Sequence, residues 1–302
     1  MKLSLDALLV LDSIDRKGSF AAAADYLHRV PSAITYAVQK LEQDLNVTLF
    51  DRTGHKAKLT PIGLALLEEG RDLLETAFQI ENRIHRLSTG WESELRIAFC
   101  DLIPFSRFIP LIRAFEALKT GTRLRFSREV LGGTWDALAG GRADLVVGAS
   151  GEGGIGSLSK RMGQVLFLFA CAPDHPLTNL PQPIAASELK RHRIIAAADS
   201  SRHLPAKSAG LISGYEVLTV PSMADKIELQ CAGLGVGFLP VELARPFMEQ
   251  GRLVELQVCV EKPEAPVSLA WKEAQPGLAL KWFIEHCARP EVCAALLGDS
   301  QP

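Results

Sequence analysis

The chain has 302 residues, 47% hydrophobic and 23% charged, with a formal net charge of -2, which is ordinary globular composition and enough length for roughly two to three domains. Collagen, coiled-coil rod and disordered classes are excluded. The longest charge-free apolar stretches, between Arg161 and Asp174 and between Glu228 and Glu242, fall short of the ~18 residues of a spanning helix, so no membrane partner is expected.

Ser4 can cap a first helix in which Leu5, Leu8, Leu11 and Ile14 recur at helical spacing, ending at Lys17 and Gly18. Asp6 and Asp12 interrupt its apolar face where a secretory signal needs an unbroken core, so a cytoplasmic location is expected. Ser19 can cap a second helix over residues 20–29, whose alanines permit a close helix crossing. Pro31 suits the first position of a third helix, because its missing N–H has no partner there in any case. Ile34, Val38, Leu41 and Leu45 follow on one stripe.

Residues 1–60 carry eight Lys and Arg against seven Asp and Glu, yet residues 26–41 contain no acid. Two helices joined by a short turn, the second acid-free over its first half, is the layout of a helix-turn-helix DNA reader. In that geometry Ser32, Thr35, Tyr36 and Gln39 face outward between buried Ile34 and Val38, and their hydroxyl and amide groups can read base edges. Residues 47–60 have β-prone ends around a Thr-Gly turn, predicting a hairpin wing with Arg52, His55, Lys56 and Lys58 for phosphates or a minor groove. From Pro61 to about Ser88 the pattern is one long helix with Leu66, Gly70, Leu73, Ala77, Ile80, Ile84 and Leu87 as a heptad seam. A second copy of the same helix is the simplest partner for that seam, giving a two-fold dimer. Packing on the chain's own C-terminal part is the competing use.

From Glu94 the order becomes strand-helix-strand-helix-strand, ending near residue 150. A second such unit is expected to begin with one strand over residues 164–172 and to pass through residues 193–199, 215–220 and 224–233 to residues 236–240. Late strands at residues 253–258 and 267–272 precede a terminal helix over residues 281–288. Parallel sheets with helical crossovers bind ligands beyond the carboxyl ends of their strands, which singles out residues 100–104, 131–135 and 149–151.

At Leu8, Leu11, Ile14, Gly18, Ser19, Phe20, Ala23, Ala24 and Leu27, then Ser32, Ala33, Ile34, Thr35, Leu41 and Glu42, then Leu49, Phe50, Arg52, Leu59, Thr60 and Gly63, the chain resembles the LysR-type transcriptional regulators in order and spacing. The likeness continues more loosely in residues 95–99, 108–115, 140–148, 172–177 and 232–240. It implies an α+β multidomain fold: an N-terminal winged helix-turn-helix over residues 1–60, a long linker and dimerisation helix over 61–90, and a C-terminal two-lobe α/β effector-binding domain over 91–302. That domain resembles type 2 periplasmic binding proteins, with lobe 1 over about 91–163 and 265–302 and lobe 2 over about 164–264. Homodimers, and homotetramers made from two dimers, are implied with it. Double-stranded promoter DNA and a small-molecule effector are the implied ligands, and RNA polymerase is a further candidate partner.

The sequence has Val30 and Pro31 where the family often has Ser and Gln, and Tyr36 where it often has Arg. DNA contact therefore carries over to Ser32, Thr35, Tyr36, Lys40 and Arg52. For the effector, Asp101, Leu102 and Trp135 lie at or near strand ends of the first lobe, and Ser200, Arg202, Ser222 and Met223 could serve from the second. Asp101 would repel a carboxylate unless protonated or paired, so a neutral or aromatic effector is expected. The bland readings are that Trp135 is lobe core, Asp101 a helix cap and Arg202 a solvated cation.

Residues 233–237 (GLGVG) follow a helix and enter a strand, the reverse of a dinucleotide fingerprint. Residues 148–152 lack the second glycine of a nucleophile elbow, and the histidines show no metal-ligand spacing. Cys100, Cys171, Cys231, Cys259, Cys287 and Cys293 form no CxxC pair and read as free thiols. No catalytic residue, cofactor or metal is assigned. The alternative is an enzyme or solute-binding protein on the same two-lobe fold, with a helical front end for oligomerisation; salt-dependent DNA binding separates the two.

Overall fold

The computed structural model describes residues 2–51, 58–150, 156–207, 214, 216–263, 265–272 and 276–298, with the backbone alone of residues 82, 83, 85 and 86. It divides into two units, Met1–Leu87 and Ser88–Pro302. In the first unit, α1 (Leu5–Lys17) starts where the Ser4 hydroxyl accepts the Ala7 N–H at 3.2 Å and stops at Gly18, whose φ of 73° suits a residue without Cβ. α2 (Phe20–Tyr26) is shorter than expected: His28 turns left-handed at φ 54° and the Arg29 N–H returns to the Ala24 carbonyl at 2.9 Å, which ends the helix before residue 29. α3 (Pro31–Leu45) begins at the proline. β1 (Phe50–Asp51) and β2 (Lys58–Leu59) pair antiparallel, and the wing tip with Arg52, His55 and Lys56 lies outside the described residues.

These elements close over a core that includes Val10, Leu11, Ile14, Ala23, Ala24, Ile34, Val38, Leu41, Leu49 and Phe50. Each fully buried aliphatic residue there contributes about 1.5–3 kcal/mol. α4 (Pro61–Thr89) is anchored near its start: Arg71 pairs with Asp12 and Asp15 of α1, both at 2.7 Å, and Gly70 lies under Leu8, whose Cδ2 would have to shift to admit a Cβ. The seam expected along this helix divides. Gly70 is buried and Leu66 packs against the helical core, whereas Leu73, Ile80, Ile84 and Leu87 remain exposed.

In the second unit, β3 (Glu94–Cys100), β4 (Arg123–Glu129) and β5 (Leu145–Ser150) are parallel, crossed by α5 (Ile109–Glu116) and α6 (Gly133–Ala139). β6 (Ser157–Val165) ends at the sheet's edge. The single strand expected over residues 164–172 is two, because the chain leaves this sheet at Leu166 and enters the next at β7 (Phe167–Cys171). An unbroken apolar run gives no periodic sign of that change of sheet. The second lobe adds α7 (Ala186–Leu189), β8 (Ile194–Ala197), β9 (Val217–Val220), α8 (Met223–Cys231), β10 (Gly237–Pro240), α9 (Val241–Glu249) and β11 (Val254–Leu256). Its strands form an antiparallel β10-β7-β11 sheet and a parallel β8-β9 pair.

The chain then returns through β12 (Ala265–Lys272), which inserts antiparallel between β5 and β6 to give the order β4-β3-β5-β12-β6. Two helices follow, α10 (Leu278–Cys287) and α11 (Pro290–Leu297), where one was expected; Pro290 takes the first position of the second. Phe99, Phe108, Phe115 and Phe283 form the centre of the first lobe's core. Cys287 and Cys293 pack within it, the Cys293 thiol donating to the Cys287 carbonyl at 3.1 Å.

At Gly63 an added Cβ would stand 2.3 Å from the Leu49 carbonyl oxygen, which already accepts the Thr60 N–H. Gly63→Ala therefore destabilises the N-terminal unit by about 1–3 kcal/mol, although alanine is the better helix former by about 1 kcal/mol. Urea denaturation followed by circular dichroism measures it; unchanged or raised stability would show that the β1–α4 approach is looser than described.

Candidate nucleic-acid interface and ligand cavity

On α3 the apolar stripe faces inward and the opposite face is polar. Ser32, Tyr36, Gln39 and Lys40 are exposed, Tyr36 to 65%. Thr35 is half-buried and donates its hydroxyl to the Pro31 carbonyl at 3.1 Å, so its use on a base edge requires rotation about χ1. Arg29, one of the two bases in the acid-free stretch, is held by Asp6 at 2.6 Å, and its hydrogen bond lowers the Asp6 pKa. Lys40 makes no ion pair among the described residues and is the free cation of this surface. Glu42, on the same helix, accepts the Leu49 and Phe50 N–H groups at 2.8 and 3.2 Å and so fixes the wing strand to α3.

In the second unit a cavity of about 450 Å³ opens between the two lobes, with Asp101, Leu102, Met223, Lys226, Phe169 and Phe238 among its lining residues. Asp101 is not a free charge, and it caps α8 of the opposite lobe rather than the helix that follows β3. One of its oxygens takes the Arg128 guanidinium at 2.7 Å and the other accepts the backbone N–H of Met223, at the start of α8 in the opposite lobe. The expectation of a neutral effector assumed an unpaired Asp101, and Arg128 removes that repulsion.

Leu102 and Met223 line the cavity with Asp101, whereas Trp135, Ser200, Arg202 and Ser222 do not. Trp135 is buried among Ala98, Leu138 and Val146, its indole N–H donating to the Ser150 carbonyl at 2.9 Å. Ser222 caps α8 through the Asp225 N–H. Arg202 is exposed. Ser200 belongs to a strap after β8 that crosses to the first lobe: its hydroxyl donates to Glu129 at 2.6 Å and accepts the Val130 N–H at 2.9 Å. Two further carboxylates hold the strap. Asp199 accepts the Gly132 N–H at 3.1 Å, and Asp136 accepts the His203 and Leu204 N–H groups at 2.9 and 2.8 Å. Burial pushes the Asp136 pKa up, but the Leu204, His203 and Arg202 N–H groups and the Arg142 guanidinium outweigh it and hold the carboxyl at about 2.

One lining residue, Lys226, and the buried Gln230 one turn beyond it were not singled out from the sequence, although the signal was present. Along α8 the buried positions are Met223, Lys226, Ile227 and Gln230, a helical core stripe in which a lysine and a glutamine replace aliphatic residues. Lys226 is 8% exposed, lines the cavity and has no ion pair or hydrogen bond among the described residues. Burial brings its pKa down to about 8. Gln230 is fully buried with both amide atoms unpartnered. Cys100, also lining the cavity, is pushed up to about 12 by burial and is no nucleophile at neutral pH. No group of His, Cys, Asp and Glu suited to a metal ion occurs among the described residues, and none of their helices is long and apolar enough to cross a membrane.

A lysine with a pKa near 8 when folded and near 10.5 when unfolded binds fewer protons in the folded state between those values, so stability rises with pH across that window. Below about pH 8 the full penalty applies, roughly 3 kcal/mol at 1.36 kcal/mol per pKa unit. Lys226→Met therefore stabilises the ligand-free protein at pH 7 by about 1–3 kcal/mol, and the gain shrinks as pH rises towards 10. Chemical denaturation of both proteins at pH 7 and 9.5 measures it; a destabilised variant at pH 7 would mean that Lys226 has a counter-charge.

The model for the bacterial regulatory helix-turn-helix proteins of the lysR family matches residues 5–64, and that for the LysR substrate binding domain matches residues 88–290. An uncharacterized HTH-type transcriptional regulator, YeeY, of Escherichia coli (strain K12) is 43% identical over 302 residues, covering 99% of this chain and 98% of its own length. A probable HTH-type transcriptional regulator of the same organism, YhaJ, is 40% identical over 286 residues, with 94% and 95% covered. Among solved structures, full-length CbnR in complex with its target DNA superposes with a TM-score of 0.60 at 20% identity, covering 95% of this chain and 100% of that one.

Proposed function

This chain belongs to the LysR family of bacterial transcriptional regulators, and on that premise we propose that α3 enters the major groove of promoter DNA while a small molecule in the interlobe cavity sets the affinity of the complex. It is a DNA-binding regulator with an effector-binding domain. Residues 1–60 are the DNA-binding part, 61–90 the linker helix and 91–302 the effector domain, lobe 2 running from about 164 to 264. The cytoplasm, where a bacterial chromosome lies, is the place of action.

One observation carries the DNA reading: the exposed face of α3 is polar and free of acids from its first residue through Lys40. Ser32, Thr35 and Tyr36 are the candidates for base edges, while Lys40 and Arg52 are suited to phosphates. Dimerisation through α4 is supported by the exposure of Ile84 and Leu87, at 62% and 73%, since a row of such residues facing water favours a second copy. CbnR, which shares this fold, has been solved in complex with its target DNA, which is in keeping with a DNA-binding role here. A ligand changes operator affinity only through unequal binding to two lobe arrangements, and the lobe-crossing hydrogen bonds of the Asp199–Leu204 strap are what such a rearrangement would exchange.

Fluorescence anisotropy with the DNA upstream of the protein's own gene tests the reading. Log affinity falls linearly with log salt, and Lys40→Ala weakens binding several-fold on all sequences while reducing the slope by about one. A wild-type protein that binds without salt dependence, or a Lys40→Ala variant with an unchanged slope, contradicts it.

A further inference from the structure

We propose that Lys226 on α8 is a modification site, whose amine takes an acyl group from a small acyl phosphate entering between the lobes. The inference concerns covalent chemistry at one side chain and does not depend on the regulatory reading of the cavity.

Lys226 is buried at the cavity wall without an ion pair or hydrogen bond among the described residues. Its surroundings hold no counter-charge. The strands packed against α8, which are β7, β8, β9 and β10, carry no charged residue, and burial pushes the Cys171 thiol of β7 up to about 11, so it stays neutral. On α8 itself Asp225 and Glu228 are exposed, Glu228 pairing with Arg252 at 3.0 Å. Across the cavity Asp101 is held by Arg128, the Cys100 thiol is neutral, and the exposed Lys207 is the other cation on the wall. This setting favours the free amine, which is the nucleophile. With the pKa brought down to about 8, roughly one molecule in ten carries it at pH 7, against fewer than about one in a thousand for a solvated lysine.

Gln230 suits the product. It is fully buried, and its amide nitrogen and oxygen are both unpartnered. The two side chains meet at Gly237: a Cβ there would stand 3.1 Å from the Gln230 Nε2 and 3.4 Å from the Lys226 Nζ. An ammonium has donors only, so it can answer no more than the amide oxygen. An acylated lysine offers an N–H to the Gln230 Oε1 and a carbonyl to its Nε2, and it removes the buried charge. Acylation thus supplies both partners that this wall lacks.

Size selects the donor. A cavity of about 450 Å³ admits a molecule as small as acetyl phosphate but not a coenzyme thioester. A protein acyltransferase would have to draw the buried side chain into its own active site. In the step, the Nζ lone pair attacks the acyl carbon and the C–O bond to the phosphate breaks. Inorganic phosphate leaves with that electron pair, and the amine's proton passes to water. Lys207 supplies positive charge to the cavity for the phosphate group.

Incubation of the folded full chain with acetyl phosphate, followed over time by peptide mass spectrometry, tests the proposal. Near neutral pH, Lys226 is acetylated about five-fold or more faster than the exposed Lys119 and Lys281, the lower nucleophilicity of a less basic amine offsetting part of its larger free fraction. Its rate levels off above about pH 8 while theirs keep rising, and the preference disappears in concentrated urea. A rate at Lys226 equal to or below that of the exposed lysines, or one that climbs with theirs beyond pH 8, overturns the proposal. The product has its own readout in the urea midpoint. Acetylation raises the midpoint of the wild type, raises it less in Gln230→Leu, and leaves that of Lys226→Met treated in parallel unchanged. A wild-type midpoint that stays the same or falls on acetylation of Lys226 contradicts the fit of the amide at Gln230 and overturns the site as drawn.

Discussion

The effector domain depends on carboxylates that accept N–H groups from the opposite lobe. Asp101, at the end of β3, takes the first N–H of α8 and balances its own charge with Arg128. Glu129 and Asp136 receive the Ser200 hydroxyl and the His203 and Leu204 N–H groups of the crossing strap, and Arg142 pairs with both at 2.8 Å. A buried carboxylate without such partners would cost several kcal/mol or take up a proton, so these residues demand an arrangement in which the opposite lobe delivers its donors. That arrangement fixes the start of α8, and with it the side of the helix that carries Lys226 into the cavity wall.

The helical front end was legible because each of its signals is local. Ser4, Ser19 and Pro31 mark helix starts by their own chemistry, and Ile34, Val38 and Leu41 mark the inward face by period alone. The parallel order of β3, β4 and β5 followed from strand-helix alternation in the same way. The apolar run through Leu166 reads as one strand, yet its two halves serve different sheets, and only long-range pairing separates them.

The ligand site was only partly readable for a similar reason. Strand ends single out Asp101 and Leu102, which do line the cavity. Nothing near Asp101 in sequence reveals that Arg128, 27 residues later, and Met223, 122 residues later, would occupy its oxygens. Trp135 turned inward to the lobe core for want of any local sign of which side of α6 faces the cleft. The lysine within the apolar stripe of α8 was the overlooked local signal: a charge at a helical core position calls for a partner, and none exists among the described residues.

Lys226 is a buried charge at the cavity wall, and that burial costs stability. Its side-chain titration tests this most directly. NMR of lysine labelled at Cε, with the Lys226 resonance assigned by its disappearance in Lys226→Met, gives the midpoint in the ligand-free protein. The account requires a midpoint of about 8. A midpoint at the ordinary lysine value, about 10.4, would contradict it, for the ammonium would then be solvated or already paired.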